Sequence, residues 1–358
     1  MKKYVVRTLI AALIFTEGAC SHLQTKASSD LVNPFASLVP KQRPQSSEPF
    51  QCPEAPAPVI EVMSQTYYSD VHHSIIDPKL LEQSRESVKP LRTFNNEIAH
   101  LSDHLWSFED RSAENCLYTW LSAWADAGAL LGDSNYQGEF ERKWNLSGIS
   151  LAYLKIEPLV HWTPDQKAKI VDWLEKIAKR VRADYDQKLD RQSRRNNHIY
   201  WAGLSVMAAA ISTGDRELYN WGLSKARKGV SDVTAEGFLP EELDRARRAR
   251  HYQSFALQAL TMMAFLANAN GIDLYSLNDG SLNRLARKTI EGYENPAIFE
   301  KATTVPQEPI HPNDLDWTAA YLFKNPHQSL PPDLKQQNVS MFAPWLGGDL
   351  SIFFFMKQ

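Results

Sequence analysis

Apolar residues recur at intervals of three and four along most of this chain, and that spacing restricts it to packed helices. The pattern runs through "DPKLLEQSRESVKPLRTFNNEIAHLSDHLW" from residue 77 and "ENCLYTWLSAWADAGALL" from residue 114. In "TPDQKAKIVDWLEKIAKRVRADYDQ", Thr163 as cap, Pro164 in the first turn and the acidic Asp165 behind it mark a helix start. Further helices are predicted over 197–213, 215–229, 240–269 and 278–292. Alternating strand runs are scarce, and no Asn-Gly or Asp-Gly hairpin joins two of them. Successive helices with short links pack as antiparallel hairpins, stacked as a bundle, a solenoid or a toroid. The lack of a clean internal repeat argues against an array of identical units. The fold class is therefore all-α, and the aromatic tail "FAPWLGGDLSIFFFMKQ" should pack on the body.

The chain has 358 residues, 43% of them hydrophobic, which is ample for a large core. Its beginning reads differently. Lys2, Lys3 and Arg7 precede the apolar run "TLIAALIF" and the small residues of "TEGAC", the order of a secretory signal over residues 1–20. That run is too short to span a bilayer. Residues 21–59, rich in Ser, Pro and Gln, read as a linker or N-terminal strap without regular structure, and 60–358 as the helical domain. Cys20 would allow a lipid tether, although Glu17 stands where a lipoprotein signal wants an aliphatic residue. Cys52 and Cys116 are then either one disulfide joining strap to helix, in an oxidising compartment, or two separate buried thiols. The formal net charge of −3 argues against a nucleic-acid partner, so any anion binding must be local.

Two segments supply local cations. In "RRNNHIYWAGLSVMAAA", Leu204, Met207, Ala208 and Ile211 form a buried stripe that continues backward through Asn197, Tyr200 and Trp201, with His198 at its edge. Arg194 and Arg195 before a helix start are electrostatically unfavourable unless an anion joins them. In "GFLPEELDRARRARHYQSFALQALTMMAFLA", Arg248, Tyr252 and Phe255 share one face that continues as Ala259 and Met263. The bland account is a solvated face with an Asp244–Arg248 pair. The functional account is an anionic sugar, its carboxylates held by guanidinium groups and its ring faces covered by aromatics. Metal-ligand clusters and calcium loops are absent by spacing, and no cofactor is implied.

From "NNHIYWAGLSVMAAA" to "RARRARHYQSFAL" the chain resembles the periplasmic alginate lyases of polysaccharide lyase family 5, the mannuronate-specific group. "TYYSDVHHSIIDPKLLEQSRESVKPL" is similar to the family's lid and following helix, "RKWNLSGISLAYLKI" to its next helices, "NGIDLYSLNDGSLNRL" to a later connection and "APWLGGDL" to its tail. The resemblance implies an incomplete (α/α) toroid with a cleft for a polyuronate, cleaved by β-elimination without a metal. It implies a periplasmic monomer whose partner is an anionic polysaccharide. Asn197 and His198 match the family's Asn-His pair and Arg248 its arginine. The family's tyrosine, seven residues after that arginine, falls on Phe255, which cannot transfer a proton. Tyr252 is then the substitute acid, with Tyr67 or Tyr68 of the lid as others, and His198 a base. His72 and His73 of the lid, with Arg195, Trp201, Arg250 and Phe255, complete the substrate-binding set. The alternative is a uronate-binding protein that has lost turnover.

Overall fold

The computed structural model describes residues 30–331 and 341–355. The expected signal segment, Cys20 and the strap up to residue 29 lie outside the described residues. Helical spacing is realised as α1 (Pro78–Ser87), α2 (Lys89–Ser107), α3 (Arg111–Asp126), α4 (Tyr136–Ile156), α5 (Pro164–Asp186), α6 (Asn197–Thr213) and α7 (Arg216–Asp232). The short α8 (Pro240–Leu243) leads into α9 (Ala249–Ala269), α10 (Ser281–Glu294), α11 (Ala297–Thr303) and α12 (Trp317–Lys324). Thr163 caps α5 in a full capping box with Gln166, as its sequence demands.

Local backbone features set the boundaries of three of the helical stretches. The stretch from residue 77 is two helices, because Pro90 falls in the first turn of α2 and can only begin a helix there. The helix predicted over 240–269 is interrupted at 244–248, where Ala246 takes a positive φ of 48° and Ala246–Arg248 form a 3-10 turn. The helix predicted from residue 278 starts at Ser281, after Asn278, Asp279 and Gly280 all adopt positive φ.

Burial separates the helices into two layers. α4, α6 and α9 are covered on nearly every side, whereas α5, α7 and α10 bury a single stripe. α2, α4, α6, α9 and α12 pack in succession as inner helices, and α3, α5, α7 and α10 pair with them on the outside. The result, within residues 31–358, is an incomplete (α/α) toroid of antiparallel helix hairpins. Close approach of α6 to α7 depends on glycine: a Cβ on Gly203 would lie 2.6 Å from the Cβ of Lys225, and one on Gly222 would lie 2.6 Å from the Gly203 carbonyl oxygen.

Both ends of the domain close on this body. The strap holds one 3-10 turn, Pro34–Leu38, whose Phe35 meets Phe265 edge-on at 5.3 Å. Trp120 and Trp124 on α3 donate their indole N–H groups to the carbonyls of Pro53 and Pro56. Just before them on both segments, Cys52 and Cys116 form a disulfide, Cα atoms 5.5 Å apart, which decides between the two readings of those thiols. The tail packs as expected. Phe342–Ala343 pairs antiparallel with Gly348–Asp349, and the buried Lys155 ammonium donates to the Gly347 carbonyl at 2.7 Å while pairing with Asp103. Among the described residues no helix is long and apolar enough to cross a membrane.

Candidate active site

The inner helices all offer their N-terminal ends to one cleft of about 490 Å³. Arg92 comes from the first turn of α2, Phe140 and Trp144 from α4, His198 and Trp201 from α6, Tyr252 and Phe255 from α9, and Asp316 from the cap of α12. Helix N-termini carry partial positive charge and free N–H groups, so five of them aimed at one space favour an anion. A lid, residues 64–76, closes one side and the tail segment Phe342–Leu346 another. Asp70 shapes the lid by accepting from the backbone of His72, Ser74 and Ile75.

Aromatic rings make the floor. Trp144 and Trp345 stack at 4.6 Å, the guanidinium of Arg92 lies 4.6 Å over Trp345, and Phe255 packs at 4.9 Å from the buried Trp201. His198 stacks on Phe140 at 3.8 Å, with its Nδ1 3.2 Å from the Nζ of Lys143. Burial first, and then the nearby Lys143 and Arg245 charges, hold the imidazole pKa well below the ordinary histidine range. His198 is therefore neutral at physiological pH.

Three tyrosine hydroxyls form a hydrogen-bonded line. The Tyr252 hydroxyl donates to Tyr68 at 2.6 Å, and Tyr68 donates to Tyr67 at 3.2 Å. Arg248 also donates to the Tyr68 oxygen, at 2.5 Å. Burial pushes the Tyr252 phenol up to about 12, with Arg245 and Arg248 pulling the other way. Arg245 sits 4.4 Å over the Tyr252 ring, is 3% exposed, and has an Nε without a hydrogen-bond partner. Its nearest carboxylate, Glu242, is 3.9 Å away. A buried guanidinium so loosely paired is poised to take an anion.

The sequence missed Arg245, and the signal for it was present. Arg245 precedes Tyr252 by seven residues, the same separation that links Arg248 to Phe255. The break at 244–248 turns both Arg245 and Arg248 into the cleft. Lys143 and Glu242 were also missed, because nothing in their spacing distinguishes them from solvated helix residues.

His198, Arg248, Tyr252, Tyr67, Tyr68, Trp201 and Phe255 line the cleft together. Four predicted residues do not. Asn197 is fully buried behind it, giving its backbone N–H and its Nδ2 to Glu242 at 2.6 and 2.8 Å. His72 turns outward, its Nδ1 3.0 Å from the Asp244 carbonyl. Arg250 is spent on the carbonyls of Gly292 and Glu308. Arg195 pairs with Glu241 at 3.0 Å, and Arg194 with the nearly buried Glu139 at 2.9 Å. The electrostatic conflict at the start of α6 is thus relieved by the protein's own carboxylates and does not require a ligand.

Residues 61–299 match the alginate lyase family. A polysaccharide lyase of Stenotrophomonas maltophilia is 35% identical over 88% of this chain and 94% of its own length. Alginate lyases of Cobetia marina and Azotobacter vinelandii are 30% and 32% identical, over 98% and 92% of this chain and 95% and 90% of theirs. Among solved structures, a histidine variant of alginate lyase A1-III complexed with tetrasaccharide superposes with a TM-score of 0.79 at 22% identity, over 92% of this chain and 96% of that one. Alginate lyase A1-III from Sphingomonas species A1 gives 0.73 at 24% identity, covering 90% of each. These superpositions show a shared fold.

Proposed function

This chain belongs to the alginate lyase family and is a polysaccharide lyase, and on that premise we propose that it cleaves a mannuronate-type polyuronate by β-elimination in the cleft described above. The observation that carries the reading is the meeting of His198, Arg245, Arg248 and Tyr252 in one aromatic-floored space at five helix N-termini.

The chemistry needs those groups. A uronate C5 proton is weakly acidic until its carboxylate is neutralised, and the dianion that develops needs donors already in place. Arg245, Arg248 and the His198 ring would bind that carboxylate, while Trp144, Trp345 and Phe255 cover sugar faces. The Tyr252 phenol first gives up its own proton through Tyr68 and Tyr67 to solvent, and the phenolate so formed takes the C5 proton. The electron pair left on C5 forms the C4–C5 double bond, the C4–O4 bond breaks, and Tyr252 protonates O4. One oxygen serving both atoms requires them on the same side of the ring, which is the arrangement in mannuronate and not in guluronate.

We read the protein as an exported periplasmic monomer with one catalytic domain over 60–358. The Cys52–Cys116 disulfide supports an oxidising compartment. The test is the ultraviolet absorbance of the unsaturated uronate end. Polymannuronate should give it faster than polyguluronate. No absorbance from either polymer, with binding retained, would overturn turnover in favour of a binding protein.

A further inference from the structure

Behind His198 stands a lysine that no reading of the sequence used. Lys143, on α4, is 0% exposed, and none of the ion pairs among the described residues includes it. Its Nζ has two hydrogen-bonding neighbours, the Phe140 carbonyl at 3.4 Å and His198 Nδ1 at 3.2 Å. Around these it faces aromatic rings, Trp144 at 3.9 Å and Phe140 at 4.5 Å from their centroids. Phe140 is also the ring on which His198 stacks, so one aromatic side chain fixes both partners.

Resting on the lyase reading, we propose that Lys143 is a positioning residue that holds His198 in the tautomer whose Nε2–H faces the cleft, making the imidazole a donor to the substrate carboxylate and leaving proton transfer to Tyr252. An ammonium has three hydrogens and no lone pair. A charged Lys143 against Nδ1 can only donate, which places the ring's single proton on Nε2. The enclosing ring faces favour the charged amine, since their π-electrons attract a cation. Burial works against that charge and lowers the Lys143 pKa, which is why a lysine without a bound carboxylate is unusual here. A lysine kept in such a place for packing alone would be replaced at lower free-energy cost by methionine or leucine.

The arrangement divides the chemistry. With Nδ1 occupied and Nε2 protonated, His198 offers the cleft no lone pair. It cannot receive the C5 proton, and its part is to hold the carboxylate as charge builds on it. The other charged groups that bear on the imidazole, Arg245, His73 and Arg194, also disfavour its protonation, so the neutral donor form persists across physiological pH.

The test is nitrogen NMR of the histidine-labelled full chain, read beside kinetics on polymannuronate. In the wild type, His198 should show a bare Nδ1 and a protonated Nε2. The reverse pattern overturns the proposal without any variant. In Lys143→Met the His198 titration should move to higher pH, and kcat should fall by about 10²-fold with KM little changed. Lys143→Arg, which can still donate to Nδ1, should recover part of the loss. A folded Lys143→Met protein with wild-type tautomer and titration overturns the proposal. If instead the wild type makes no unsaturated ends, the lyase reading fails, and the tautomer measurement still judges the role of Lys143 separately.

Discussion

The guanidinium of Arg245 lies over the ring of Tyr252, its carbon 4.4 Å from the ring centroid, so a loosely paired cation ahead of α9 and a phenol in its first turn face the cleft together. Arg245→Ala should therefore lower kcat/KM on polymannuronate by about 10²–10³-fold, the usual cost of removing a preorganised charge stabiliser. Steady-state rates measure it. A loss smaller than that of Arg195→Ala, whose partner is Glu241 outside the cleft, would contradict the placement.

The Tyr252–Tyr68 hydroxyl contact predicts a graded series. Tyr68→Phe removes the acceptor for both Tyr252 and Arg248 and should reduce kcat by about 10-fold or more, whereas Tyr67→Phe, at the end of the line, should cost less. Equal losses from the two variants would argue that the lid tyrosines act only by covering the substrate.

Stability should fall as pH rises because of Asp316. Burial first, and then Asp314 and Asp349, push its pKa from 3.8 up to about 8. The folded protein holds this proton where the unfolded chain has lost it. The group's contribution is complete below pH 3.8 and is lost as pH rises toward about 8. Asp316→Asn should flatten that decline, raising Tm above pH 8 by roughly 2–4 °C per kcal/mol relieved. Thermal unfolding at a series of pH values reads the difference, which should vanish in acid.

Reducing the Cys52–Cys116 bond frees a separation of 64 residues in the unfolded chain and releases the strap from α3. The double Cys→Ser variant should lose about 2–5 kcal/mol of stability. Because the bond lies away from the cleft residues, kcat should change much less than Tm.

Much of this molecule is legible in its residues. The three- and four-residue spacing gives an all-α chain, and Thr163, Pro164 and Asp165 place a helix start that the capping box realises. Local spacing could not show how Ala246 would bend the backbone. That bend brings Arg245 into the cleft beside Arg248, so two seven-residue pairs, Arg245 with Tyr252 and Arg248 with Phe255, line it where the sequence read only the second. Nor could spacing reveal that Glu139 and Glu241 answer the charge of Arg194 and Arg195, because those partners lie on other helices. Asn197 illustrates the same limit. Its neighbour His198 reaches the cleft, while Asn197 turns back to Glu242, whose pKa burial raises to about 7.

The central claim is that Tyr252 moves the proton, and initial rates of unsaturated-end formation from polymannuronate by two substitutions test it most directly. Tyr252→Phe should lose about 10²–10⁴-fold while still binding the polymer, and Phe255→Tyr should bring no gain. A Tyr252→Phe enzyme that keeps the wild-type rate, or a Phe255→Tyr enzyme that exceeds it, would contradict the account.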